Sequence, residues 1–558
     1  MSLSGWMTKE ENMKIAGVWS GHDCSFCLFE NGKPTVHAEL ERYNREKNPH
    51  GDSINFMFER MGEQCEDIKH FVSVYPKKKI NQYEKSHKRA LEICEKNGGS
   101  FHYVSHHKSH AAHAFYSSNL DNALIITLDG GGVEDDRGGE SACTVWMGEG
   151  NKLKHLKTFR PYEINIGGVW TRVVRYVFRL NNGWPLGGQE GSVMAMAALG
   201  DPNKYFKDFQ KMLTQDIMPA GHKPHDQPPG ATSPNDPIHP YLDPWVQLAD
   251  SSKQEKYDLA AGLQSATEWL IKEIVGQCLQ QTGAKNLCIA GGVSLNSVSM
   301  GKIYEWFPQV ENFYIPPVPY DGGLCLGAVQ WLWHEVLDKP RIEWDKNFTP
   351  YLGEHWPDED VFKCVDDAVK NSNVTKQNSS IEEVIKLLDK GDIVSVFNEG
   401  SESGRRALGN RSILADPRKD YMKDRVNEKV KHRQWYRPFA PSILRSEVDK
   451  WFVRDVDSAY MQFVIKFKPD MGPKVPAVNH FDGTARLQTV EEEDNKWYFD
   501  FLTKWHEYSG VPIILNTSFN DREPICETPS DAMNCFLGTD IDHLYYCQQN
   551  ILVSKVND

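Results

Sequence analysis

The sequence lacks any run of about 18 apolar residues, so no membrane-spanning helix is expected. Residues 1–12 lack the apolar core of a signal peptide and read as a disordered leader. A disulfide framework is also missing. The twelve cysteines are scattered, and several, including Cys288, Cys325 and Cys535, stand inside apolar runs. That placement suits reduced, buried thiols in a cytoplasmic protein. Cys24 and Cys27 form a lone CxxC with no second pair, so two small strand residues explain them better than a zinc site. Positive charge is in deficit: 63 Lys and Arg against 77 Asp and Glu leave a net charge of −14. That balance excludes a global attraction to nucleic acid. No internal repeat or low-complexity tract is visible.

What is present suits a multidomain α/β protein. A chain of 558 residues is too long for one core, so two or three domains are expected. Strand-like runs at 13–18, 25–29 and 35–40, with a turn at Asn31-Gly32, match the way actin-like ATPase domains begin. Residues 124–128 form a buried strand that delivers Asp129 at its end. Apolar residues recur at helical spacing from Leu259 to Cys278, and Gly283 supplies the stop. Polar, Pro-containing sequence at 341–356 reads as a linker between domains at 13–340 and 357–555. The Pro- and Gly-rich stretch 219–245 reads as a long irregular excursion, the kind that often serves as a lid.

Four histidines crowd into His106-His107-Lys108-Ser109-His110-Ala111-Ala112-His113. On a helix, His106 and His110 project from one face, which suits two ligands to one metal; His107 and His113 point elsewhere. Asp129 and Asp321, each just beyond a strand-like run, can supply two oxygens. Two imidazoles and two carboxylates suit Fe(II), Mn(II) or Zn(II) acting as a Lewis acid. A surface helix is the alternative explanation for an isolated His pair.

Glycine loops follow the strands. Gly291 and Gly292, with Asn296, open a helix where backbone N–H groups can approach phosphate, and Gly322 stands in a second such turn. A tight turn is the equal alternative for each. Gly187-Gly188 forms a third cluster, before a close-packed helix at 193–198. In the second half, Arg406, Lys431, Arg437 and Arg486 stand in Gly- and Pro-rich apolar context, and Asn516 and Ser518 end a buried strand. Arginine forks with neutral donors suit a polyanion. A surface ion-pair network explains Arg405 and Lys429 adequately. The basic run Lys77, Lys78, Lys79, Lys85, Lys88 and Arg89 reads as a solvated helix face, with a phosphate-bearing acceptor as the alternative.

At these residues the chain resembles the O-carbamoyltransferase family of antibiotic and nodulation-factor biosynthesis. The resemblance runs over about residues 13–553 and rests on ordered motifs: HHKSHAAHAF, LDGGG, AGGVSLN, DGGLCLGA, RRALGNRSILADPR, RPFAPS, DGTARLQTV and LNTSFNDREPI. It implies an N-terminal actin-like (ASKHA, TsaD-like) domain followed by a C-terminal YrdC-like α/β domain. It also implies that ATP, with Mg, and carbamoyl phosphate give carbamoyl-adenylate in the C-terminal domain. Arg406, Lys431, Arg437, Arg486, Asn516 and Ser518 would hold the substrates there, with Arg406 and Lys431 as catalytic groups. Iron would bind at His106, His110, Asp129 and Asp321, Gly291, Gly292, Asn296 and Gly322 would line the nucleotide, and His22 would be the base for the acceptor hydroxyl. The chain departs from the family's usual motif at Ser401, which replaces Arg, at Arg405, which replaces Pro, and at Ser299-Met300-Gly301, which lacks Asn-Gly.

The acceptor implied is a sugar or polyketide hydroxyl, with a hydroxymethylated pyrimidine, free or in DNA, as a further option suggested by the basic run and Trp184. A threonylcarbamoyl-adenylate or tRNA-modification enzyme is the competing expectation, and a non-enzymatic ATPase-fold regulator the third. A homodimer is compatible with the sequence, though no pattern encodes it.

Overall fold

The computed structural model describes residues 13–180, 189–214, 242–346 and 348–556. The expected leader, the Gly187-Gly188 cluster, Trp184 and most of the Pro- and Gly-rich excursion lie outside the described residues.

The first sheet contains β1 (Lys14–Trp19), β2 (Ser25–Glu30), β3 (Lys33–Glu39), β4 (His70–Val74) and β5 (Ser100–Val104) in the order β3-β2-β1-β4-β5. The hairpin strands β1–β3 pair antiparallel, and β4 and β5 continue parallel to β1. The second sheet contains β6 (Asn122–Val133), β7 (Glu140–Glu149), β8 (Lys152–Phe159), β9 (Asn286–Ala290) and β10 (Asn312–Tyr314). Its order, β10-β9-β6-β7-β8, and its strand directions are those of the first sheet with β6 in the place of β1. The molecule therefore carries a repeat that the sequence did not reveal. Strand order is set by pairing, which different apolar residues satisfy equally well. Two halves built this way form an actin-like fold, as expected.

Between the sheets runs the helix His106–Tyr116, buried along its length. Ser105 caps it by accepting from Lys108 N. The helix Leu324–Trp331 packs alongside, and the Ser109 hydroxyl donates to the Leu324 carbonyl at 2.6 Å. The long helix Lys253–Thr282 covers the second sheet and ends on Gly283 in the left-handed conformation, as the spacing predicts.

The third sheet has eight strands: β11 (Val374–Asn378), β12 (Val394–Phe397), β13 (Arg411–Ala415), β14 (Ala440–Leu444), β17 (Gln488–Val490), β18 (Ile513–Ser518), β19 (His543–Tyr546) and β20 (Ile551–Lys555). Its order is β11-β20-β19-β12-β13-β18-β14-β17, with parallel and antiparallel pairs mixed. A two-stranded ribbon, β15 (Val464–Lys466) with β16 (Thr484–Arg486), lies beside it. The apolar core of the second sheet continues into the third: the rings of Phe313 and Phe463 sit 5.3 Å apart within one buried cluster. Polar links join the first sheet to the third. Arg45 donates to the Pro524 and Ile525 carbonyls, and Glu39 accepts from Gly404 N and Tyr320 OH. Among the described residues no helix is long and apolar enough to cross a membrane. All twelve cysteines are free thiols, including Cys24 and Cys27.

Candidate functional site

His106, His110, Asp129 and Asp321 converge, each offering a ligand atom within 4.8 Å of the others. The first actin-like half supplies both imidazoles, from the helix that follows β5. The second half supplies Asp129 from β6 and Asp321 from the turn after β10. Asp129 lies where the β6–β7 register shifts between Leu128 and Gly132, a bulge that turns its carboxylate out of the ladder. The glycines of that bulge admit the imidazole: a Cβ on Gly132 would stand 2.3 Å from the His106 ring.

His110 Nε2 lies 3.1 Å from Asp129 Oδ2 and 3.4 Å from Asp321 Oδ1, and His106 Nε2 lies 3.4 Å from each of the same oxygens. Burial works against charge on all four groups, but their mutual attraction is stronger. His106 is raised to about 10, His110 is raised, and both carboxyls are held well below the usual carboxylate range. Two imidazoles facing two carboxylates offer positions that a divalent cation can take, with protons leaving as it binds. The mixed nitrogen and oxygen donors fit the metals expected from sequence. His107 and His113 face away, as expected: His107 bonds Thr127 and the Ser141 carbonyl, and His113 bonds Gln330.

His22, in the β1–β2 turn, joins this group. Its Nε2 lies 3.2 Å from Asp321 Oδ2, and its Nδ1 lies 3.0 Å from Asp23 Oδ2. Burial opposes its charge, yet Asp321 and Asp23 together raise its pKa. Asp23 in turn accepts from Asn48 Nδ2 at 2.9 Å and from Arg405 Nη2 at 2.6 Å. Arg405 is therefore not part of a surface ion-pair network, as its sequence context suggested. Its guanidinium lies 4.4 Å over the Tyr320 ring, in the wall of the cavity.

That cavity, about 460 Å³, is lined by His22, His106, Asp129, Gly292, Asn296 and Asp321, together with Trp19, Lys79, Arg172 and Arg175. A second cavity of about 580 Å³ is lined by Arg406, Lys431, Arg433, Arg437, Arg486, Asn516 and Ser518. Both volumes are in the range of ligand pockets. The two share a wall made of Asn48, Glu190, Met194, Leu295 and Arg405.

In the second cavity no carboxylate among the described residues pairs with Arg406, Arg433, Arg437 or Arg486. Burial lowers the pKa of all four. Mutual repulsion adds to this: Arg437 acts on Arg433, Arg406 and Arg437 act on Arg486, and Arg405 acts on Arg406, which falls to about 10. Arg486 Nε and Asn516 Oδ1 are buried without a hydrogen-bond partner. Desolvated cations without counter-charge are costly, so this cluster is built for an anion. Lys431 is placed differently: its ammonium donates to the Ser518 and Asn520 carbonyls and to Asn520 Oδ1, at 2.9, 2.6 and 2.6 Å. It fixes the loop that presents Ser518.

Two expected site residues line neither cavity. The Gly322 carbonyl accepts from His37 Nε2 at 2.9 Å. Gly291 has φ +92°, and a Cβ there would meet the Leu128 carbonyl oxygen at 2.2 Å, so it serves close backbone approach. Asn296 lines the first cavity but also caps the helix Ser297–Gly301, accepting from Ser299 N. Lys79, Arg405 and Arg433 were missed as site residues. Lys79 stands in the basic run, and Arg433 two residues from Lys431, but nothing local separates either from its neighbours.

Residues 73–330 match the family model described as Carbamoyltransferase N-terminus, and residues 385–555 that described as Carbamoyltransferase C-terminus. Nodulation protein NolNO of Sinorhizobium fredii is 30% identical over 584 residues, covering 98% of this chain and 81% of that protein. Nodulation protein NolO of Bradyrhizobium diazoefficiens is 32% identical over 454 residues, covering 79% and 77%. Among solved structures, full-length HypF in its phosphate- and nucleotide-bound form aligns with a TM-score of 0.35 at 12% identity, covering 60% of this chain and 48% of that one. The ROK hexokinase of Thermus thermophilus aligns with a TM-score of 0.28 at 13% identity, covering 57% and 98%.

Proposed function

We propose that this chain, which belongs to the carbamoyltransferase family, makes carbamoyl-adenylate from ATP and carbamoyl phosphate and passes the carbamoyl group to an acceptor hydroxyl. The observation that carries this reading is the pair of unlike cavities with one common wall. One is built for a polyanion; the other holds an acid–base group beside a metal-type ligand set.

In the arginine cavity, Arg406, Arg433, Arg437 and Arg486 offset the charge of ATP and carbamoyl phosphate, so that two anions can approach each other. Water first cleaves carbamoyl phosphate to carbamate and phosphate, and a carbamate oxygen then attacks the α-phosphorus of ATP, which is accompanied by Mg, to form carbamoyl-adenylate as pyrophosphate leaves. Asn516 Oδ1, without a protein partner, is free to accept from the carbamoyl N–H₂. Asn48, Glu190 and Arg405 line both cavities, and the adenylate would pass beside them into the first.

There His106, His110, Asp129 and Asp321 would hold a divalent metal, iron in the closest expectation, which polarises a carbonyl or phosphoryl oxygen when bound. Asp23 fixes the His22 ring through Nδ1, leaving Nε2 as the atom that exchanges a proton. Neutralising Asp321 removes the main attraction that raises His22, so the ring can then accept the acceptor's proton.

Incubation with ATP and ¹³C-carbamoyl phosphate, followed by mass spectrometry, tests the reading. Labelled carbamoyl-AMP is expected; ADP with unlabelled AMP alone would refute it.

A further inference from the structure

We propose that the cavity holding His22 takes an acceptor that carries a phosphate, with Lys79 as the residue that binds it. The inference rests on the proposed function and names the class of acceptor.

The basic run divides in the structure. It spans two helices, Lys77–Asn81 and Glu84–Lys96, rather than one solvated face. Lys77 is matched by Asp136 at 3.0 Å, and Arg89 and Lys96 are matched by Glu66. Lys79 is different. It lines the cavity, with its ammonium 4.5 Å over the Trp19 ring, and that ammonium makes no hydrogen bond or ion pair to any described residue. Burial pushes its pKa down, against the pull of Asp321. A half-buried ammonium without a counter-ion costs free energy unless a ligand supplies the charge.

Lys79 is not alone. Arg405 lines the same cavity, with Nη2 on Asp23, and its other guanidinium donors take no hydrogen-bond partner among the described residues. Both cations lie close enough to the His22–Asp23 pair to bear on its ionisation. Arg172 and Arg175 also line the cavity, in a chain whose net charge is −14. Five carboxylates line it as well, but Asp23 is matched by Arg405, and Asp129 and Asp321 face the imidazoles, so none of these three is hydrogen-bonded to the Lys79 ammonium. A neutral sugar or polyketide alcohol offers hydroxyl oxygens but gives Lys79 no counter-charge. A phosphate on the acceptor supplies one, and Trp19, Tyr75 and Tyr176, which line the same cavity, suit a planar ring. The pyrophosphate of ATP is left with the arginines of the other cavity, and the adenylate brings a single phosphate here, whose contact with Lys79 would affect every acceptor alike.

The test uses matched alcohols that differ only in a phosphate: a sugar and its phosphate, a nucleoside and its 5′-monophosphate, and a short single-stranded oligonucleotide of that nucleoside. Each is assayed for carbamoyl transfer with the wild type, Lys79→Gln and Lys79→Arg. The wild type is expected to favour the phosphorylated partner in at least one pair by tenfold or more in kcat/KM. Lys79→Gln is expected to bring that pair near parity, and Lys79→Arg to restore the preference. Preference for the monophosphate assigns a small acceptor; preference for the oligonucleotide alone, with a steep salt dependence, assigns a polymer. Equal use of both partners by the wild type overturns the inference. So does an equal loss for both in Lys79→Gln, which would place Lys79 on the adenylate instead. Carbamoyl-phosphate-dependent pyrophosphate release, read in the same samples, separates the two failures: release without a phosphate preference defeats this inference alone, and absence of release defeats the proposed function.

Discussion

The Arg405 guanidinium donates to the Asp23 carboxylate at 2.6 Å, joining residues 382 positions apart. Through Asp23 it reaches His22, it lies over the Tyr320 ring, and it forms part of the wall between the arginine cavity and the metal-type cavity. Replacing Arg405 by Ala leaves Asp23 buried with one cation fewer. The loss of a hydrogen bond to a charged group costs about 1.5–3 kcal/mol. Urea unfolding should show a loss of that size, and carbamoyl transfer should fall about tenfold or more as Asp23, the partner of the His22 ring, loses the cation that holds it. Unchanged transfer would remove Arg405 from the acceptor site.

His110 is one of two imidazoles facing the Asp129 and Asp321 carboxylates. His110→Ala is expected to lose bound metal and to slow transfer roughly a hundredfold or more, while pyrophosphate release in the other cavity continues. Elemental analysis and the two half-reactions check this. Full metal content with full transfer would take His110 out of the site.

Arg437 lies in the arginine cavity with no carboxylate partner among the described residues. Arg437→Ala should reduce carbamoyl-phosphate-dependent pyrophosphate release by about 10²–10³, the usual effect of removing one preorganised charge from a phosphoryl site. Normal release at ordinary substrate concentrations would count against its placement.

Burial, reinforced by Arg433, pushes the Lys431 ammonium down from 10.5 to about 7. The lysine is charged below that pH and neutral above it. Between these two values the unfolded chain binds a proton that the folded one does not, so this group makes stability rise with pH across that window. A phosphate-bearing ligand favours the charged form. Affinity for carbamoyl phosphate should therefore fall as pH rises through about 7, with proton uptake on binding. Calorimetry in buffers of different ionisation enthalpy measures the uptake. In Lys431→Arg the side chain stays charged, and the pH dependence should flatten. An identical profile in that variant would assign the dependence to another group.

The metal-type quartet was legible because its signal is local. His106 and His110 sit four apart on a helix, and Asp129 and Asp321 each follow an apolar strand. The strands of the first sheet and the Gly283 stop of the long helix were legible for the same reason. The duplicated strand order was not, since pairing and direction are tertiary choices that alternation does not encode. Arg405 and Lys79 were misplaced for a related reason. Each occurs among other cations in sequence, and only the fold decides which one meets a carboxylate, a ring or a cavity. Arg433 was passed over beside Lys431, yet Arg433 lines the cavity with its charge unmatched while the Lys431 ammonium is committed to the Ser518–Asn520 loop.

Pyrophosphate release from ATP, measured with and without carbamoyl phosphate and with no acceptor added, tests the central claim most directly. The account predicts release that requires carbamoyl phosphate and does not respond to threonine with bicarbonate. Release supported by threonine and bicarbonate, but not by carbamoyl phosphate, would contradict it.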